Sequence, residues 1–190
     1  MYKIAIFASG GGSNAESIAK HFEDSGLASV SLILSNKKEA GVLDRADRLG
    51  IPSVVCIKSE FQNESHLLRI LKQYDIDFIV LAGFLLLIPE YLIRAYPNKI
   101  VNIHPALLPK YGGKGMYGIN IHKAVVQNKE KETGLTIHFV NERYDEGTII
   151  AQKSCSIEPS DSAEEVATKV LQMEHKYYPE TIENLLRKGL

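Results

Sequence analysis

Cysteine is scarce in these 190 residues: only Cys56 and Cys155 occur, far apart and outside any CxxC or mixed Cys/His spacing. That excludes a disulfide scaffold and a metal centre of the zinc-finger kind, and it suits a reducing compartment. No apolar run approaches the roughly 18 residues needed to span a membrane. The N-terminal stretch MYKIAIFASGGGS has too short an apolar run for a signal peptide. Charge of one sign is not in excess either, since 22 Lys and Arg face 23 Asp and Glu for a formal charge of -1 at pH 7. No global field therefore draws the chain to nucleic acid or to a membrane. Repeats, low-complexity tracts and linkers are absent as well. The expectation is a cytosolic chain with small-molecule partners, organised as one domain over residues 1–190.

What is present is rhythm. The first half alternates apolar, β-branched runs with amphipathic stretches: KIAIFAS, then a helix from Ser13 to Gly26, SVSLILSN, a helix closed by Gly50, and PSVVCI. ESHLLRILKQY then reads as a helix, DFIVLAGF as a fourth strand, PEYLIRAY as a short helix and KIVNIH as a fifth strand. This is the pattern of βαβ units around a parallel sheet, whose central strands are continuously apolar. After His104 a Gly-rich segment leads into a helix, and GLTIHFVN and TIIAQKSCSI follow, joined by the turn-like ERYDEG. That short joint makes antiparallel pairing available. The last helix carries Pro179, which is expected to kink or restart it.

Two places carry chemistry. SGGGSN, Ser9 to Asn14, follows the first strand and opens the first helix, where glycines let the backbone approach a ligand and exposed amides favour an anion. The spacing is not GxGxxG and no acidic residue closes the second strand, which favours a single phosphate over a dinucleotide. Ser13 and Asn14 are also able to cap the helix. The second place is VNIHPALLPKYGG. Asn102 and His104 lie two positions apart on one strand and so project to one face, at the carboxyl end where open α/β sheets bind ligands. An amide N–H and a titratable imidazole are the tools for holding an oxyanion and moving a proton in acyl transfer. No GxSxG occurs, so a direct transfer without a covalent enzyme intermediate is expected. Asp145, in the turn between the last two strands, reads equally as a carboxylate that orients His104 and favours its protonated form or as a solvated turn residue before Gly147. His21, His66 and His122 read as surface or capping residues, whereas His138, in TIHFV, reads equally as a site residue or a core histidine.

GGGSN, VLAGF, NIHPALLPKYGG, GLTIHFVNERYDEG and MEHKYYP together resemble the folate-dependent formyltransferase family, over a stretch from about Ile4 to Tyr178. The GGGSN loop points to the branch that formylates glycinamide ribonucleotide in purine synthesis. The resemblance implies an α/β three-layer Rossmann-like fold, with a seven-stranded, mostly parallel sheet and one antiparallel strand. It implies 10-formyltetrahydrofolate as co-substrate, no metal, and a monomer or homodimer. Carried over by position, Asn102, His104 and Asp145 form a catalytic trio. Gly12, Ser13 and Asn14 hold the substrate phosphate, Glu174 approaches the glycinamide part, and Pro105 lines the same site. The folate pocket falls to Leu85, Leu86, Leu87 and Ile88, with Asn102 and the run Asn141, Glu142, Arg143, Tyr144 and Asp145, largely through backbone groups. The N-terminal half becomes the phosphate and substrate side, and the C-terminal half the catalytic and folate side.

Departures from the family pattern are visible. Leu86 in GFLLLI and Glu64 stand where arginines are common, so another cation near the phosphate, such as Lys58, is expected to serve. The Gly112 to Gly118 segment is longer than usual and carries GKG, and reads equally as an ordinary surface loop or as a flap or further anion contact. Alternatives change the acceptor to an amino sugar nucleotide, methionyl-tRNA or water, or make the chain a non-catalytic nucleotide or folate-binding module. The near-neutral charge and the length weigh against the tRNA and hydrolase forms.

Overall fold

The computed structural model describes residues 1–189; Leu190, the last residue of the expected domain, lies outside them. Strands β1 (Tyr2–Phe7), β2 (Ala28–Ser35), β3 (Ser53–Val55), β4 (Phe78–Leu81), β5 (Ile100–His104), β6 (Glu132–Phe139) and β7 (Ile149–Ser156) form one sheet. Its order is β3-β2-β1-β4-β5-β6-β7. Pairing is parallel from β3 through β5 and antiparallel at β5–β6 and β6–β7, so β6 alone runs against the rest. The expected α/β fold with one antiparallel strand is therefore what the chain adopts. The central strands are apolar on both faces because both faces are covered.

Helices α1 (Ser13–Phe22), α2 (Gly41–Arg48) and α7 (Ala163–Arg187) bury Ala15, Ile18, Val42, Val166 and Ile182 against one face. Helices α4 (Glu64–Gln73) and α5 (Glu90–Ala95) cover the other with Leu67, Leu71 and Leu92. A four-residue helical turn, α3 (Lys58–Phe61), had no periodicity to reveal it; it buries Phe61 against Phe7 and Phe84, with ring centroids 6.0 and 5.1 Å apart. Helix α6 (Ile119–Gln127) packs Ile121 and Val125 on Ala106, beside β5. Helix α1 stops at Phe22, short of Gly26, where Ser25 turns the chain by accepting from the N–H of Leu27 and Ala28.

Pro179 does not restart α7: the helix runs unbroken from Ala163 to Arg187. A proline removes the N–H that the carbonyl four residues earlier would accept. That carbonyl belongs to His175, and it accepts instead from the Ser17 hydroxyl of α1 at 2.7 Å. One turn earlier than Ile182, the buried Tyr178 donates its hydroxyl to the carbonyls of Leu81 and Val101, 2.9 and 3.2 Å away, which moors α7 across the ends of β4 and β5.

The proline-rich segment after β5 is held from the neighbouring strands. Thr136 of β6, wholly buried, donates to the Ala106 carbonyl at 2.7 Å and accepts from the Leu108 N–H at 3.0 Å. Gln152 of β7, opposite Thr136, donates to both the Leu108 carbonyl and Thr136 at 2.9 Å. Thr136→Val keeps the shape but orphans buried backbone groups, so it is expected to cost about 2 kcal/mol. A lower urea midpoint at constant slope is the readout, and an unchanged midpoint would show that Gln152 holds the segment alone.

Candidate active site

Cross-strand register builds the face that carries Asn102 and His104. Asn102 sits opposite His138, and His104 opposite Thr136. His138 donates from Nδ1 to the Phe139 carbonyl at 2.8 Å, which leaves Nε2 to accept from Asn102 Nδ2 at 3.1 Å. The same amide nitrogen lies 3.4 Å from Asp145 Oδ1. His138 is thus both a satisfied core histidine and the residue that orients Asn102.

Asp145 reaches this face from the turn between β6 and β7 in a left-handed backbone conformation, φ 58°, one that Asp tolerates better than most residues. Gly147 lets that turn close, since a Cβ there would stand 1.6 Å from the Phe139 carbonyl oxygen. Asp145 Oδ2 accepts from the Gly113 N–H at 2.9 Å, so the carboxylate also anchors the glycine-rich segment. His104 donates from Nε2 to the Tyr111 carbonyl at 2.7 Å, because a carbonyl only accepts. Tyr111 has φ 58° as well.

The expectation that Asp145 keeps His104 protonated is corrected here. His104 Nδ1 stands 3.5 Å from Asp145 Oδ2, too wide for a hydrogen bond. Burial pushes His104 below its ordinary pKa; Asp145 and the Tyr111 carbonyl draw it back only in part, and His138 lowers it further. Burial acts the other way on Asp145, yet its contacts with His138, His104 and Gly113 hold its carboxyl below the usual range. At neutral pH the site therefore pairs a neutral imidazole with a carboxylate.

The glycine loop leaves the first backbone amides of α1 without a side-chain cap. Gly12 is the N-cap of α1 at φ 78°, where a Cβ would meet Val42 Cγ2 at 2.4 Å, so only glycine fits. No side chain caps the helix; Ser13 and Asn14 do not take that role, and the first amides of α1 are left for a ligand. Gly10 accepts from the Val42 N–H at 3.0 Å and Gly11 from Arg45 Nε at 2.7 Å. Arg45 is tied further to Glu16. Lys58 and Glu64 do not border this site; both are exposed around α3 and α4, on the other face of the sheet. Besides Arg45, the cations beside the loop are Lys37 and Lys38, which line a recess of about 500 Å³ with Ser9, Gly10 and Gly11.

The loop and the trio open into one cleft of about 770 Å³. Gly12, Ser13, Asn14, Pro105 and Glu174 line it, as do Leu85, Leu86, Leu87 and Ile88 and, from the turn, Asn141, Arg143, Tyr144 and Asp145. Glu142 does not: Asn141 Oδ1 accepts from the Arg143 N–H at 3.0 Å, and the tightened turn leaves Glu142 in solvent. Ser9 ties the two sides together, donating to Asn36 at 2.6 Å and accepting from the Leu85 N–H at 3.0 Å. Leu85, Leu87 and Tyr144 line the cleft yet stay 40, 39 and 37 % exposed, an apolar surface suited to a ligand. Glu174 is buried, accepts from Asn14 Nδ2 at 2.6 Å, and is pushed up to about 7 by burial, against the pull of Asn14. His122 is also in the cleft, buried on the first turn of α6, and not on the surface as expected. Its position next to Ile121, three residues before Val125, was the available signal.

Residues 2–182 match the Formyl transferase family. The chain belongs to that family. A chloroplastic phosphoribosylglycinamide formyltransferase of Arabidopsis thaliana is 45% identical over 186 residues, which cover 95% of this chain and 64% of that protein. The chain thus spans less than two thirds of that relative's length. The phosphoribosylglycinamide formyltransferase of Bacillus subtilis is 38% identical over 191 residues, covering 98% of this chain and 95% of that one. Among solved structures of the family, glycinamide ribonucleotide transformylase 1 from Geobacillus kaustophilus superposes with a TM-score of 0.89 at 37% identity, covering 98% and 99% of the two chains. Among the described residues no helix is long and apolar enough to cross a membrane.

Proposed function

We propose that the chain transfers the formyl group of 10-formyltetrahydrofolate to the amine of glycinamide ribonucleotide, giving formylglycinamide ribonucleotide and tetrahydrofolate in purine synthesis. The observation that carries this reading is the single cleft into which the anion-binding start of α1 and the Asn102, His104 and Asp145 trio both open. The phosphate meets Gly12, Ser13 and Asn14, and Glu174 faces the glycinamide part beside Pro105. The pterin lies against Leu85 to Ile88 and the Asn141 to Asp145 turn, where exposed apolar side chains and backbone groups suit a flat heterocycle.

In the reaction the amine nitrogen bonds to the formyl carbon and the carbonyl electron pair moves to oxygen. Asn102 Nδ2 and His104 Nε2–H hold that oxyanion, the formyl oxygen replacing the Tyr111 carbonyl as the acceptor from His104. Asp145 keeps Asn102 and the glycine-rich segment in register. The carbon bond to the folate nitrogen then breaks, and the amine proton is relayed to that nitrogen. The N-terminal half thus acts as the phosphate side and the C-terminal half as the catalytic and folate side of one domain. The free thiols Cys56 and Cys155 support a reducing compartment such as the cytosol, and we place the enzyme there as a monomer or homodimer.

The test is tetrahydrofolate release from 10-formyltetrahydrofolate with glycinamide ribonucleotide, with an amino sugar nucleotide, and without acceptor. Release with glycinamide ribonucleotide alone is expected. Equal release without acceptor would make the chain a hydrolase, release with the sugar alone would move the acceptor, and no release at all would leave a binding module.

A further inference from the structure

Amine acylation needs a group that takes a proton from the attacking nitrogen, and the trio's two acceptors, His104 Nδ1 and the Asp145 carboxylate, face each other 3.5 Å apart. Asn102 offers only an amide, which is a donor to the oxyanion and not a base. His104 carries its proton on Nε2, committed to the Tyr111 carbonyl, and its Nδ1 faces the Asp145 carboxylate. Asp145 is engaged by Gly113 and Asn102 and holds its charge.

His122 differs from the other two buried histidines of the cleft. His104 and His138 both have hydrogen-bonded rings, whereas His122 Nδ1 is shielded from solvent with no partner among the described residues. Residue 122 is only 5 % exposed, and because Nδ1 is sealed from solvent the nitrogen able to meet a ligand in the cleft is Nε2, which makes no side-chain hydrogen bond among the described residues. Its ring lines the same cleft as the trio, near enough to His104 that a charge on one is felt by the other. Burial first, then His104, keep His122 below its ordinary pKa and hence neutral, with a lone pair available.

We infer that His122 is a further catalytic residue, the base that receives the proton of the attacking amine. This rests on the formyl transfer proposed above and names the relay within it. After the amine nitrogen bonds to the formyl carbon, one N–H pair of electrons stays on nitrogen as its proton moves to the imidazole of His122. The same proton then passes to the folate nitrogen as its bond to carbon breaks, so imidazole ends neutral and no other reactant is consumed.

His122→Gln preserves bulk and polarity but cannot cycle a proton. It is expected to lower kcat by about 10²-fold with the KM of both substrates within about threefold. His122→Ala should lose as much and regain part of it with added imidazole, more with more basic imidazoles. Unchanged kcat in the Gln variant, a loss confined to KM, or no rescue of the Ala variant would overturn the assignment. A second measurement is independent of turnover and of the variants' folding. In the ¹⁵N-histidine spectrum of the intact chain, the His122 nitrogens should shift on adding glycinamide ribonucleotide with a non-transferring folate analogue. Ring nitrogens that stay unpartnered in that complex would also overturn it. Normal turnover by a Gln variant would sink the inference and leave the proposed function standing; an intact chain inactive with glycinamide ribonucleotide would sink the function itself.

Discussion

Replacing His104 with alanine is expected to lower kcat by about 10³-fold, since one preorganised oxyanion donor is worth ~10² to 10³ in rate. The KM for glycinamide ribonucleotide should stay within a few-fold, because the amides of Gly12, Ser13 and Asn14 and the side chain of Glu174 reach the cleft from α1 and α7, without passing through β5. Steady-state kinetics on the variant, with bound substrate measured by calorimetry, separates the two quantities. Near-normal kcat would remove His104 from the chemistry, and a loss carried wholly by KM would make it a binding residue. The variant also tests the charge state. His104 has a folded pKa below its unfolded one, so its contribution to stability is present above the unfolded value and lost as pH falls through the folded value. The alanine variant should accordingly lose less stability than the parent between neutral pH and about pH 5.

Much of this was legible in the sequence because it depends on local pattern. Continuous apolar runs marked β1, β2 and β4, and period-two spacing put Asn102 and His104 on one face. Charge states and partners were less legible, because they depend on what the sheet brings across from elsewhere. The effect of Asp145 on His104 could be judged only once burial and a 3.5 Å separation were known. Pro179 signals a kink or a restart by itself, yet Ser17, far away along the chain, supplies the missing partner to the His175 carbonyl and the helix continues. Lys58 does not reach the Gly10 to Asn14 loop, because α3 covers the opposite face. His122 looked superficial because the glycine-rich segment before it has no periodicity, and only the packing of its helix beside Ala106 turns it inward.

Glu174→Gln is expected to stabilise the chain above neutral pH while weakening substrate binding. Burial raises the Glu174 carboxyl from 4.5 to about 7, with Asn14 opposing. A carboxyl raised on folding favours the folded state below the unfolded pKa, and that advantage is lost as pH rises through the folded one. Above about pH 7 the folded chain therefore carries a buried carboxylate at a cost of about 3 kcal/mol, an upper figure from ~1.4 kcal/mol per pKa unit. The amide removes that cost and adds a bond. Asn14 Oδ1 is buried without a partner, and the introduced amide would present an N–H toward it while its oxygen still accepts from Asn14 Nδ2. Urea unfolding at pH 8 should show a gain of about 2 kcal/mol over the parent, shrinking toward pH 4.5 where the parent carboxyl is protonated in the folded state and half-protonated in the unfolded one. Glycinamide ribonucleotide, whose amine and ribose hydroxyls suit a carboxylate as acceptor, should bind the variant at least tenfold more weakly at pH 8. A variant more stable and equally tight would remove Glu174 from the substrate site. One no more stable at pH 8 than the parent would show that water reaches the carboxylate and that its burial is relieved. Both effects together would mean that the fold gives up stability at this position to keep a charge where the substrate needs it.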